Sequence, residues 1–300
     1  MNIENQRIDL PVLRKKEISL FVKREDTIHP YISGNKYRKL KYNIKEAKKQ
    51  HLNTLLTFGG AYSNHIAATA YAGKEYGFKT IGVIRGEELA DKWETNATLK
   101  LAKEHGMHFY FVTREQYKLK TAAVFKKELL DKFGDFYTIP EGGTNALAVK
   151  GCEEILTPKD KDFTIISSCV GTGGTLAGLI NSATNNQKVL GFPALKGDFL
   201  YNDIRKFVQN DNWDLITDYH FGGYAKVTSE LVVFCNNFKK ETNIQLDPVY
   251  TGKLFYGLFN LISKDYFKKG TKILAIHTGG LQGISGMNLV LKKKKLPVLK

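Results

Sequence analysis

Apolar residues along this chain fall into short runs, and between the runs they recur at intervals of three and four. The runs at 20–22, 54–58, 80–84, 108–112, 136–140, 163–168, 188–192, 215–219 and 271–277 read as strands. The intervening stretches at 35–50, 61–76, 91–105, 116–133, 146–156, 200–208, 228–242 and 253–266, with another opening at Thr175, read as helices. In the first of these, Leu40, Ile44 and Ala47 share one face. From residue 54 to 140, strand and helix alternate with short links. That alternation predicts parallel sheets covered by helices. No internal repeat or low-complexity linker interrupts the order.

A length of 300 residues accommodates two domains or one large one, and 42% apolar with 25% charged residues is ordinary for a globular protein. The net charge of +15 raises the question of nucleic acid. The basic residues, however, are scattered over expected helices, as at 45–49 and 126–127, with one run at 292–295, and no nucleic-acid motif accompanies them. They read as a solvated surface that still attracts small anions. Neither a secretion signal nor a membrane-length apolar run is present, so no membrane partner is expected. Cys152, Cys169 and Cys235 have no paired spacing, which argues against a metal site or a disulfide framework. A reducing, cytoplasmic setting is the expectation.

Candidate chemistry gathers where strands end. Gly59-Gly60, Gly171 to Gly174 and Gly279-Gly280 each follow a strand, and ligands of open parallel sheets bind beyond such ends. Gly171-Thr172-Gly173-Gly174-Thr175 offers backbone N–H groups, two hydroxyls and a helix start, which together can cradle a phosphate. The stretch lacks the Lys-Ser/Thr ending of a nucleotide loop, and as a bare tight connection it would look the same. Ser63-Asn64-His65 opens a helix, with Ser63 either a cap or something more. Asp247-Pro248-Val249-Tyr250 precedes another helix, its tyrosine either a core aromatic or a site residue. In Ser33-Gly34-Asn35-Lys36-Tyr37-Arg38-Lys39-Leu40, Gly34 allows a bend and Asn35 suits a helix cap. Lys36 then lies at the positive end of the helix dipole, which disfavours its ammonium form. Such a lysine is a candidate Schiff-base nucleophile, against the alternative of one more solvated lysine.

These motifs, with His277-Thr278-Gly279-Gly280, occur in one order over residues 22–280. The chain thereby resembles the pyridoxal-phosphate-dependent family of 1-aminocyclopropane-1-carboxylate deaminase and D-cysteine desulfhydrase. The resemblance implies an α/β, tryptophan-synthase-β-like architecture (fold type II) of two open parallel-sheet domains. The large cofactor-binding domain would comprise 1–38 and 151–300, with 39–150 inserted as the small one, the site in the cleft, and a homodimer as the assembly. Lys36 would be the Schiff-base lysine. Val170, Gly171, Thr172, Gly173, Gly174 and Thr175 would hold the phosphate, and Asn64 the phenolic oxygen of pyridoxal 5'-phosphate. Ser63, with Asn64 and His65, would bind substrate, Ser63 also being catalytic. Tyr250 would be an active-site tyrosine and Tyr224, in Phe221-Gly222-Gly223-Tyr224, a second one. The segment 192–195 matches poorly and is given no function.

Two positions separate the family's branches. Cyclopropane deaminases carry glutamate and leucine where this chain has Thr251 and Thr278, the pairing of the desulfhydrase branch. Threonines toward the pyridine nitrogen would leave it unprotonated and favour loss of a good leaving group. The expected reaction is β-elimination from a small amino acid, D-cysteine giving sulfide, pyruvate and ammonia. The alternatives are deamination of 1-aminocyclopropane-1-carboxylate to 2-oxobutyrate and, from another class, a non-catalytic phosphate-ester-binding protein.

Overall fold

In a computed structural model describing residues 3–32 and 34–300, the apolar runs pair into two sheets. Ser33 lies outside the described residues. The strands are β1 (Asn5–Ile8), β2 (Ser19–Lys23), β3 (Thr54–Gly59), β4 (Lys79–Arg85), β5 (His108–Val112), β6 (Tyr137–Ile139), β7 (Ile165–Val170), β8 (Lys188–Pro193), β9 (Trp213–Leu215) and β10 (Lys272–Ile276). The larger sheet runs β1-β2-β10-β7-β8-β9 and the smaller β5-β4-β3-β6. All pairings are parallel except β1 with β2.

Both faces of the large sheet are covered, as parallel sheets require. Along β10, Ile273 and Ala275 enter one apolar cluster while Leu274 and Ile276 enter the other. This is the two-residue alternation of a strand with a core on each side. In β3, Leu56 and Phe58 face one cluster of the small sheet and Leu55 another.

Side-chain caps shorten several of the expected elements. The helix read at 91–105 begins at Ala97 and ends at Glu104, because Asn96 accepts from the Thr98 and Leu99 N–H groups at 3.0 Å each. The stretch 116–133 divides into Arg114–Lys118, opened by a capping box of Thr113 and Gln116, and Ala123–Phe133. The strand expected at 215–219 is Trp213–Leu215 followed by a single 3-10 turn, Thr217–Tyr219. Strand β1, Asn-Gln-Arg-Ile, has no apolar run to announce it and adds at the sheet edge.

The helix Asn35–Lys49 carries Lys36 and is fixed on three sides. Arg38 forks onto Glu25, with Nε to Oε2 at 3.0 Å and Nη2 to Oε1 at 2.9 Å, both side chains buried. Lys41 and Tyr42 donate to Glu154. Helix Ala146–Glu153 approaches so closely that a Cβ on Gly151 would stand 2.0 Å from the Arg38 carbonyl oxygen. Among the described residues no helix is long and apolar enough to cross a membrane.

Candidate active site

Strands β7 and β10 are parallel neighbours, so the turns that follow them lie side by side at one edge of the large sheet. The start of helix Asn35–Lys49 is bound to that edge. Gly34 has φ +51°, and a Cβ there would stand 2.0 Å from the Thr278 carbonyl oxygen. Only glycine fits such an approach. The Asn35 N–H donates to the same oxygen at 3.2 Å. Asn35 is the first helical residue rather than the cap, and its side chain reaches across to donate to Thr175 Oγ1 at 2.8 Å. From the small sheet, the turn after β3 brings in helix Asn64–Tyr76.

These elements enclose a cavity lined by Lys36, Lys39, Ser63, Asn64, His65, residues 169–173, Thr175, Tyr224, Tyr250, Thr278 and the glycines that follow. Lys36 donates to the Gly142 carbonyl at 3.3 Å, and its pKa is lowered to about 7. Burial is the leading cause and the charge of Lys39 the next. Lys39 was not singled out by the sequence. Its amine donates to Gly142 O at 3.0 Å and Thr144 Oγ1 at 2.9 Å and lies 3.5 Å from Thr172 Oγ1. It sits one turn after Lys36, on the same helix face, and that spacing was the available signal.

The 171–175 turn has the form of a cradle. Gly173, at φ +83°, precedes helix Gly174–Ser182, whose start has no side-chain cap. The hydroxyl of Thr172, which lines the cavity, meets that of Thr144 at 2.5 Å. Ser63 caps its own helix, accepting from the Ile66 N–H at 3.4 Å, and also lines the cavity. Thr57 Oγ1 donates to Ile139 O and therefore accepts from His65 Nε2 at 2.8 Å. His65 Nδ1 is left as a buried acceptor without a partner among the described residues, and burial holds the ring neutral, well below the usual histidine range. Asn64 Oδ1 is likewise buried without a partner among the described residues.

Two tyrosines close the far side, their rings edge-to-face at 6.2 Å. Burial raises both phenol pKa values, and the neighbouring Tyr224 raises Tyr250 further. The structure separates the two threonines. Thr278 lines the cavity with its hydroxyl 3.1 Å from Cys169 Sγ. Thr251 does not line it: its hydroxyl is turned into its own helix start, donating to Asp247 Oδ2 at 2.8 Å and accepting from the Asp247 N–H at 2.9 Å. Among the described residues, no carboxylate lines the cavity and no cluster of His, Cys, Asp or Glu could hold a metal.

Two lysine amines, a run of backbone donors at a helix start and two orphaned acceptors suit a ligand carrying a phosphate, a carbonyl and further polar groups. The sequence pattern of the pyridoxal-phosphate dependent enzymes matches residues 4–279. The chain belongs to this family. As a pyridoxal-phosphate dependent enzyme it takes that cofactor, and the donor set fits it. It is 34% identical to the bifunctional D-cysteine desulfhydrase/1-aminocyclopropane-1-carboxylate deaminase of Arabidopsis thaliana, a mitochondrial protein, over 88% of this chain and 73% of the relative. It is 27% identical to a D-cysteine desulfhydrase of Klebsiella pneumoniae over 87% and 86%. A solved structure of a 1-aminocyclopropane-1-carboxylate deaminase homologue superposes with a TM-score of 0.80 at 29% identity, covering 94% of this chain and 90% of that one. The two parallel-sheet domains are those of fold type II pyridoxal-phosphate enzymes.

Proposed function

We propose that this enzyme catalyses β-elimination from a small amino acid with a good leaving group, of the kind that D-cysteine represents. The observation that carries this reading is a cavity in which no carboxylate takes part among the described residues. Its wall near the β7 and β10 ends includes the Thr278 hydroxyl and the Cys169 thiol, which burial pushes up to about 12 and keeps protonated. When bound, pyridoxal phosphate supplies an electron sink for the carbanion formed at the substrate's α-carbon. A neutral wall does not protonate a ring nitrogen, so the sink is shallow, sufficient when a thiolate departs with its electron pair.

In this reading Lys36 attaches the cofactor and, with a pKa near neutrality, exchanges the α-proton. The 171–175 turn and Lys39 hold the phosphate, and Asn64 a further oxygen of the ring. The N-terminus of helix Asn64–Tyr76, with Ser63 and His65, receives the substrate carboxylate. Tyr250 and Tyr224 hold a proton near the leaving group. The three free, buried cysteines suit a reducing, cytoplasmic setting.

The deciding comparison is kcat/KM of the cofactor-loaded enzyme for D-cysteine and for 1-aminocyclopropane-1-carboxylate. Sulfide and pyruvate from the first should exceed 2-oxobutyrate from the second by at least about tenfold, a barrier difference of about 1.4 kcal/mol. Preference for the cyclopropane compound would assign the deaminase reaction instead.

A further inference from the structure

Behind Asn64, Tyr224, Tyr250 and Gly280, which form part of the catalytic cavity's wall, lies a second cavity that shares those four residues. Its remaining lining is almost wholly apolar: Tyr62, Pro248, Val249, Met287 and Val290, with the glycines 283 and 286. Met287 and Val290 lie three apart on helix Ile284–Lys293 and so share a face. Asp247 also borders it, but its carboxylate is occupied by the N–H groups of Val249, Tyr250 and Thr251 and by the Thr251 hydroxyl. The space measures about 130 Å³, against about 80 Å³ for the catalytic cavity. On a measure where one water takes roughly 10–15 Å³, that is room for several non-hydrogen atoms.

A bare thiol or a cyclopropane ring has no use for such an annex, whereas a substrate with an apolar group beyond the sulfur does. We propose that the annex is a subsite for the β-substituent, and that the enzyme cleaves S-alkyl and S-arylmethyl thioethers of cysteine in preference to cysteine. This inference rests on the β-elimination reading above. The α-proton is removed, its electron pair becomes the Cα–Cβ double bond, and the Cβ–S bond breaks with its pair retained by sulfur. The sulfur takes up a proton and leaves as a thiol, and the released 2-aminoacrylate reacts with water to give pyruvate and ammonia. Tyr62 and Met287 suit an arylmethyl group, through aromatic and sulfur–aromatic contact. Each methylene moved from water into the annex should raise kcat/KM roughly three- to fourfold.

The test uses the cofactor-loaded enzyme with cysteine and its S-methyl, S-propyl and S-benzyl derivatives, both enantiomers, following thiol and pyruvate together. kcat/KM should rise at least about tenfold from S-methyl to S-propyl, with S-benzyl as high. Val290→Trp, or the milder Met287→Phe, should fill the annex and bring the thioethers down to the level of cysteine while leaving cysteine turnover unchanged. Turnover of cysteine with thioethers refused, or equal loss on all substrates in folded variants, overturns the subsite and leaves the elimination reading standing. No pyruvate from any of these amino acids overturns the elimination reading, and the subsite with it.

Discussion

The Lys36 amine is held well below the ordinary lysine range because water is removed from it and a second cation stands near it. A pKa of about 7 lies below the ordinary lysine value, so the free amine predominates above neutrality instead of above pH 10. Cofactor-free protein should therefore show Lys36 reacting with a small amine reagent along a curve with its midpoint near pH 7, read by peptide mapping. Lys39→Met removes the second cause and should move that midpoint upward. An unshifted midpoint would show that burial acts alone. The same depression implies that the unfolded chain holds more protons between pH 7 and about 10.4, so Lys36 makes stability rise with pH across that window. Of these two residues only Lys36 was legible, from the neighbouring glycine and the motif order. Lys39 is one of 45 basic residues and becomes distinct only once Thr144 and Gly142 arrive from far along the chain. Thr251 shows the converse, since the residue is where the motif places it while its hydroxyl serves the Asp247 turn.

Among the elements, the long apolar strands and the glycine turns at their ends were readable from periodicity. The polar strand β1 and the breaks at Asn96 and Thr113 were not, because they depend on edge pairing and on single caps. The loop that presents Tyr224 was the hardest to read, and its geometry explains why. Phe221, Gly222, Gly223 and Ala225 all have positive φ, two of them without being glycine. Strained backbone of this kind persists where its surroundings hold it. Here the holder is Lys253, fully buried on helix Thr251–Ser263, which donates to His220 O and Gly223 O at 2.8 Å each and to Ala194 O at 3.4 Å. Lys253→Met keeps the bulk and removes the three donors. It should lower kcat about tenfold or more with cofactor affinity nearly unchanged, because the 171–175 turn is untouched. Lys253→Arg should restore part of the loss, and comparable loss of cofactor affinity would reassign Lys253 to general stability.

For the whole molecule, a charge of +15 accompanies a cavity that, among the described residues, holds two lysines and no carboxylate. Anions are drawn to such a protein over about 10 Å at 0.1 M salt and about 3 Å at 1 M. The association rate of pyridoxal phosphate with cofactor-free enzyme should accordingly fall severalfold between low salt and 0.5 M, while association of the uncharged-tail analogue pyridoxal falls less. Stopped-flow measurements of the two side by side would show it, and equal salt dependence would argue that the surface charge does not steer binding.

The lock between Gly34-Asn35 and the Thr278 carbonyl also bears on how the protein is made. Synthesis proceeds from the N-terminus, so Lys36 leaves the ribosome long before the carbonyl that fixes its helix, which belongs to the turn after β10. Strand β10 sits between β2 and β7, so until it is made the large sheet lacks a central member and the cleft has no floor. Contacts this distant in sequence form late. A nascent chain therefore carries Lys36 as an ordinary solvated lysine with no built site around it, and cofactor capture belongs to the finished fold rather than to the growing one.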